Sequence, residues 1–351
     1  MTDEFIDPRR DPYTLLHFME PFQQLLSRPD LTDLCINRPG EIWAETHSGW
    51  EFHKMEFLTL DTCNKLAALV AGYNNKTLDQ KQSTMSGRMP NGERIEIILP
   101  PSCEADTVSF TMRRPSSTRK SIDQLDGEGR FSKIRAVTGE VHGLTDLEKQ
   151  LMELRDAKQW AEFMKLSVQA KQNIIFSGPT GSGKTTFGKS FMDYIPKDER
   201  IITIEDVSEI TLPNQPNHVH LFYDKDGQGS SVVTAKRLLQ SALRMKPSRI
   251  LMAELRSSEA YDFFDGVNTG HPGSMTTVHA NTPIQAFDRL AKLVSQSDNA
   301  RGMLYSDIKS SLIQSIDVIV QCAQERNEDG MEERNITAIY YDPEFKRKQG
   351  V

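Results

Sequence analysis

Glycines, hydroxyl residues and one lysine alternate over Gly178-Pro179-Thr180-Gly181-Ser182-Gly183-Lys184-Thr185, a run that fits G-x-x-x-x-G-K-[ST]. Glycines at this spacing let successive backbone N–H groups turn towards a phosphate, and a following helix adds its positive N-terminus at the same point. Lys184 would reach the β- and γ-phosphates, and the Thr185 hydroxyl would ligate Mg²⁺. The apolar run Ile174-Ile175-Phe176 precedes the loop as a strand would, and helix-compatible sequence follows it. That context outweighs the competing reading, a glycine-rich surface turn. The expected ligand is a nucleoside triphosphate, ATP with Mg²⁺, contacted by Gly178, Thr180, Gly181, Ser182, Gly183, Lys184, Thr185 and Thr186.

Binding is not hydrolysis, which also needs a carboxylate to orient water, a metal holder and positive charge on the transition state. Three later runs end in suitable groups, and open α/β sheets place their sites at strand ends. Ile202-Thr203-Ile204 leads into Glu205 and Asp206, with Glu209 three residues on. Glu205 and Asp206 are possible, indirect metal holders, although Asp206 could equally cap a helix. Ile250-Leu251-Met252-Ala253 leads into Glu254, followed by Arg256. Ser274–Val278 leads into His279, placed to sense a γ-phosphate, while His271 precedes the same run. A lone histidine is more often solvated or a core residue. A zinc site on the two histidines lacks a third ligand at suitable spacing. Glu254 and Glu209 remain rivals for the water-polarising role.

The elements that must position these groups follow from periodicity. Short β-like runs at 34–36, 41–45 and 50–52, a helix near 61–74 and strands at 94–99 and 107–112 describe an α+β domain over about 1–115. A weakly patterned stretch, 116–143, reads as an interdomain linker. Its length would let the N-terminal domain reach a neighbouring subunit. Thr145-Asp146-Leu147-Glu148 is a capping box that opens a helix, and a second helix carries Trp160, Phe163, Met164 and Val168. Strands are then expected at 200–204, 218–222, 249–253, 274–278, 317–321 and 336–341. Helices near 233–245, 259–267, 283–291 and 308–316 alternate with them. The alternation marks residues 144–351 as an α/β domain with a mostly parallel sheet.

The 351 residues, 37% hydrophobic and 26% charged with net charge −7, suit a soluble two-domain protein and argue against a dominant nucleic-acid surface. Cys35, Cys63, Cys103 and Cys322 lie too far apart for a metal or redox motif and read as thiols in a reducing cytosol. No run approaches 18 apolar residues, so membrane association is expected to be peripheral.

Four boxes now stand in order: the glycine loop, Ile204–Glu209, Arg249–Arg256 and Thr269–Asn281. Together they resemble the secretion ATPase superfamily, and most closely its type IV secretion branch of VirB-type hexameric traffic ATPases. The run Ala253-Glu254-Leu255-Arg256-Ser257-Ser258-Glu259 is especially similar, as are Pro90–Ile95 and Ser109–Arg113 upstream. The resemblance implies a RecA-like P-loop nucleotide domain preceded by a smaller α+β domain that lends Arg94 and Arg113 to the nucleotide. It also implies a homo-hexamer at the cytoplasmic face of the bacterial inner membrane, working with other secretion-system subunits. Its expected activity is ATP hydrolysis that powers a type IV secretion or conjugative DNA transfer system, in pilus biogenesis and substrate translocation. Pilus-assembly or retraction motors are the alternative within the superfamily, although the tetracysteine zinc site many of them carry is missing from this sequence. A nucleotide switch without motor activity is the alternative outside it.

Overall fold

The computed structural model describes residues 12–115, 120–134, 143–225 and 229–349. Among these residues the chain forms two sheets with separate cores.

Helices α1 (Pro12–Phe18) and α2 (Gln23–Leu26) lead into strands β1 (Asp33–Ile36), β2 (Glu41–Thr46) and β3 (Gly49–Lys54). Helix α3 (Leu60–Tyr73) follows, with Thr59 accepting from Thr62 N–H as its N-cap. Strands β4 (Thr84–Arg88), β5 (Arg94–Ile98) and β6 (Ser109–Arg113) complete an antiparallel sheet in the order β3-β2-β1-β6-β5-β4. Helix α3 lays Leu66 and Val70 against Ile36, Ile95, Ile97 and Phe110. Burying side chains of this kind stabilises by about 1.5–3 kcal/mol each before chain entropy is counted. Strand β4 was not expected. It holds Gly87 and three polar side chains, pairs with β5 as an edge, and so lacks apolar alternation.

The expected linker contains one short helix, α4 (Ile122–Gly127), closed by a Ser121–Gln124 capping box. Residues 116–119 and 135–142 of that stretch lie outside the described set. Thr145 and Glu148 form the anticipated capping box of α5 (Asp146–Asp156), and α6 (Trp160–Gln169) follows.

Next come β7 (Ile174–Ser177), α7 (Lys184–Met192), β8 (Ile201–Glu205), β9 (His218–Phe222), α8 (Ala235–Ala242) and β10 (Arg249–Met252). The chain continues through α9 (Glu259–Asn268), β11 (Met275–Val278), α10 (Pro283–Val294) and α11 (Tyr305–Ser315). It ends in β12 (Val318–Arg326), β13 (Glu332–Tyr340) and α12 (Pro343–Lys348). Strand order is β13-β12-β7-β11-β10-β8-β9, parallel throughout except for the β12–β13 pair. Neighbouring residues of each strand point to opposite faces, so both faces are apolar. Ile202 and Ile250 pack with Leu238, Phe263 and Leu290 on one side, and Ile201 and Leu251 with Leu151, Phe163 and Met192 on the other.

Strands β12 and β13 outrun their expected limits because their polar halves, Gln324–Arg326 and Glu332–Asn335, pair with each other beyond the sheet. Backbone hydrogen bonds hold that ribbon, and apolar patterning does not reveal it. Helix α12 was also missed, although Asp342 capping Phe345 N–H and Pro343 at its first position were a readable start signal. All four cysteines are free and buried.

The two sheets meet at the β9 edge. Cys103 bridges to Leu221, and Phe222 N–H donates to Ser102 O. Arg200, fully buried, donates to Asn37 Oδ1, Asn217 Oδ1 and the Met245 carbonyl. Arg38 donates to His218 Nε2 (3.1 Å).

Candidate functional site

Loop 178–183 joins β7 to α7. Gly183 is the N-cap of α7 at φ +87°, a left-handed conformation that costs a side-chain-bearing residue energy. A methyl group on Gly178 would run into the Cys322 carbonyl oxygen. The loop therefore needs glycine at both positions, one for conformation and one for space.

Lys184 Nζ turns back over this loop, donating to the Gly178 carbonyl (2.8 Å) and the Pro179 carbonyl (2.9 Å) and meeting His279 Nδ1 at 3.3 Å. From there a chain of charged contacts crosses the tips of the neighbouring strands. His279 Nε2 lies 2.9 Å from Glu254 Oε1, and Glu254 Oε2 lies 2.8 Å from Arg256. Arg256 also donates to Asp206 Oδ2 at 2.6 Å. Burial holds the Lys184 pKa below its ordinary value, with the Glu254 charge pulling the other way. The hydrogen bond to Glu254 keeps Arg256 above its usual range.

Glu205 does not join this chain, contrary to the expectation of an indirect role in holding a metal. It is fully buried, and Oε2 accepts from Glu209 N–H (2.8 Å) and Ile210 N–H (2.7 Å) while Oε1 accepts from Thr203 Oγ1 (2.8 Å). Burial alone would raise its pKa, but His220, these N–H groups and the Thr203 hydroxyl outweigh that and hold it low. Glu205 clamps the loop that carries Asp206 and Glu209. Glu259 has the same task after β10, where Oε1 accepts from Arg256 N–H (2.7 Å) and Ser257 N–H (2.8 Å). Sequence reasoning missed Glu259 as a clamp, although an acid three residues after Arg256 has capping-box spacing.

Three further expectations meet a different geometry. His271 precedes β11, at the opposite end of the strand from His279, and its Nδ1 faces the Pro247 carbonyl (3.1 Å). The Glu209 side chain is exposed, and among the described residues only its backbone joins the network. Arg94 and Arg113 face each other across β5 and β6. They line a cavity of about 310 Å³ with Ser86, Glu96 and Arg244. Arg113 donates to Asp33 (2.9 Å), and no described contact takes either arginine to its own glycine loop.

Lys184 supports a fit to the triphosphate. It is a buried cation at a helix N-terminus whose neighbours are carbonyls and an imidazole, and among the described residues no carboxylate is in ion-pair contact with it. A bound anion would supply the balancing negative charge. The Thr185 hydroxyl, next to Lys184 at the start of α7, is the donor this site would offer to Mg²⁺. Among the described residues no cluster of three His, Cys, Asp or Glu side chains converges on a metal position. Mg²⁺ bound with a nucleotide would take most of its ligands from water and phosphate oxygens.

The family model described as Type II/IV secretion system protein matches residues 18–343. The type IV secretion system protein VirB11 of Brucella suis is 40% identical over 331 residues, covering 94% of this chain and 90% of that protein. The type IV secretion system protein PtlH of Bordetella pertussis is 36% identical, covering 90% and 92%. The crystal structure of the VirB11 ATPase from the Brucella suis type IV secretion system, in complex with sulphate, superposes with TM-score 0.89 at 39% identity, covering 97% and 98% of the two chains.

Proposed function

This chain belongs to the type II/IV secretion system protein family, in its VirB11 branch, and from that membership we propose that it hydrolyses ATP as the traffic ATPase of a type IV secretion system. The observation that carries the catalytic part is the unbroken run of contacts from Lys184 through His279, Glu254 and Arg256 to Asp206. These five side chains come from four neighbouring strand tips and meet at one phosphate-binding loop.

In this reading the Lys184 ammonium leaves its loop carbonyls for the β- and γ-phosphates, and His279 turns with it towards the γ-phosphate. Glu254, released from His279 and still held by Arg256, polarises the attacking water. Its contacts favour it over the exposed Glu209. Thr185 would hold Mg²⁺, which neutralises charge developing on the phosphates. Gly178, Thr180, Gly181, Ser182, Gly183 and Thr186 would complete the phosphate cradle.

Arg94 and Arg113 belong to the part of the molecule packed on β9, four strand spacings away from β7. At about 4.8 Å per strand that separation is roughly 19 Å. They therefore serve the nucleotide of a neighbouring copy, where an added guanidinium can be worth about 10³–10⁵ in rate. Such sharing calls for a ring, here a homo-hexamer docked peripherally on the inner membrane beside other secretion-system subunits. In that setting hydrolysis would drive pilus biogenesis and substrate translocation.

Molecular mass in solution with and without Mg-ATP, measured alongside turnover in the same samples, tests the shared-site reading. It expects assembly beyond the monomer wherever turnover is seen. A strictly monomeric, fully active enzyme would remove the ring and the motor with it.

A further inference from the structure

The ribbon formed by β12 and β13 beyond the sheet lies against the glycine loop from the side away from Glu254 and His279. A Cβ built on Gly181 would stand 3.0 Å from Gln324 Oε1, and one on Gly183 would stand 3.2 Å from Arg334 Cδ. Gln324 and Arg334 are direct partners across the two strands, so one face of the ribbon covers the loop at both glycines. The Arg334 stem thus rests on the N-cap of α7, one residue before Lys184.

The charge around Arg334 is left over. Glu332 is hydrogen-bonded to the Gln324 amide, and Glu333 Oε1 accepts from Asn327 Nδ2 (2.9 Å). Among the described residues the Arg334 guanidinium has no hydrogen bond or ion pair. It is an exposed cation fixed by its stem beside a phosphate-binding loop, two bonds past an atom already in contact with that loop.

Sheet order says which part of a nucleotide it would meet. β11, β10 and β8 lie on one flank of β7 and carry the groups assigned to the terminal phosphate, whereas β12 and β13 lie on the other flank. A nucleotide seated on the loop with its γ-phosphate towards Glu254 must run its nucleoside end towards the ribbon. We propose that Arg334, its stem seated on Gly183, is a nucleotide-binding residue that holds the nucleoside end of the bound nucleotide. A planar guanidinium stacks on the face of a base. This inference rests on the nucleotide-site reading above and adds the direction in which the nucleotide lies.

Arg334→Met tests it, because methionine keeps an apolar stem against Gly183 and removes the charge. Titration with a fluorescent ADP analogue, displaced by ATP or by inorganic tripolyphosphate, separates the two ends of the nucleotide. The expected result is a loss of about tenfold in ADP and ATP affinity, the scale of one cation–π contact, with tripolyphosphate affinity within about twofold of the wild type. KM should rise by more than kcat falls. Wild-type ADP affinity in the variant would overturn the proposal, and so would an equal loss for ADP and tripolyphosphate, which would place Arg334 on the loop phosphates. If the wild-type protein bound neither ADP nor tripolyphosphate, the nucleotide site itself would fall.

Discussion

Glu205 and Asp206 are adjacent in sequence and opposite in behaviour. Strand residues alternate sides, so Glu205 shares a face with Thr203 and turns back into the protein, while Asp206 leaves β8 and meets Arg256. An acid after an apolar run was readable as a strand-end residue. Whether its oxygens face solvent or its own backbone depends on the turn that follows. Removing the Glu205 carboxylate strands the Glu209 and Ile210 backbone donors in a buried place. Glu205→Ala is expected to lower the unfolding free energy by about 2–4 kcal/mol in urea titrations. An unchanged midpoint would show that the loop after β8 does not depend on this clamp.

At the scale of elements, the alternation of strands and helices after Thr145 was legible because each strand is a short apolar run and each helix has a cap. The β4 edge and the β12–β13 ribbon were not, because backbone pairing holds polar residues there without burying an apolar face. Nor does sequence reveal how the two sheets join, since the residues involved, Asn37, Arg200, Asn217 and His218, are polar and far apart in the chain. His218 makes this junction sensitive to pH. Burial lowers its pKa from the ordinary 6.5 to about 4, and its Nδ1 faces the Gln215 carbonyl while Nε2 accepts from Arg38. A histidine with a lowered folded-state pKa takes up its proton more readily in the unfolded chain. Its contribution is therefore whole above pH 6.5 and lost as pH falls towards 4. The melting temperature should drop between pH 7 and pH 5 more steeply in the wild type than in His218→Gln, whose amide can keep the Arg38 contact without titrating. Parallel slopes would exclude His218 as the source.

Across the whole molecule, the order of boxes along the chain announced the site, and the parallel sheet explains how boxes as much as 95 residues apart come into contact, as Lys184 and His279 do. Arg94 and Arg113 were the least legible part. Their motif pointed to a nucleotide, but the N-terminal sheet packs on β9, and among the described residues neither contacts its own chain's glycine loop. The strand tips and the loop converge on Glu254, so its substitution is the most direct measurement. Glu254→Gln keeps the size and hydrogen-bonding shape of the side chain and removes its basicity. Steady-state ATP turnover should fall by about 10²–10⁴ while affinity for labelled ADP stays near the wild-type value. Turnover within a fewfold of the wild type would contradict the account and return the catalytic role to Glu209 or to a group outside this network.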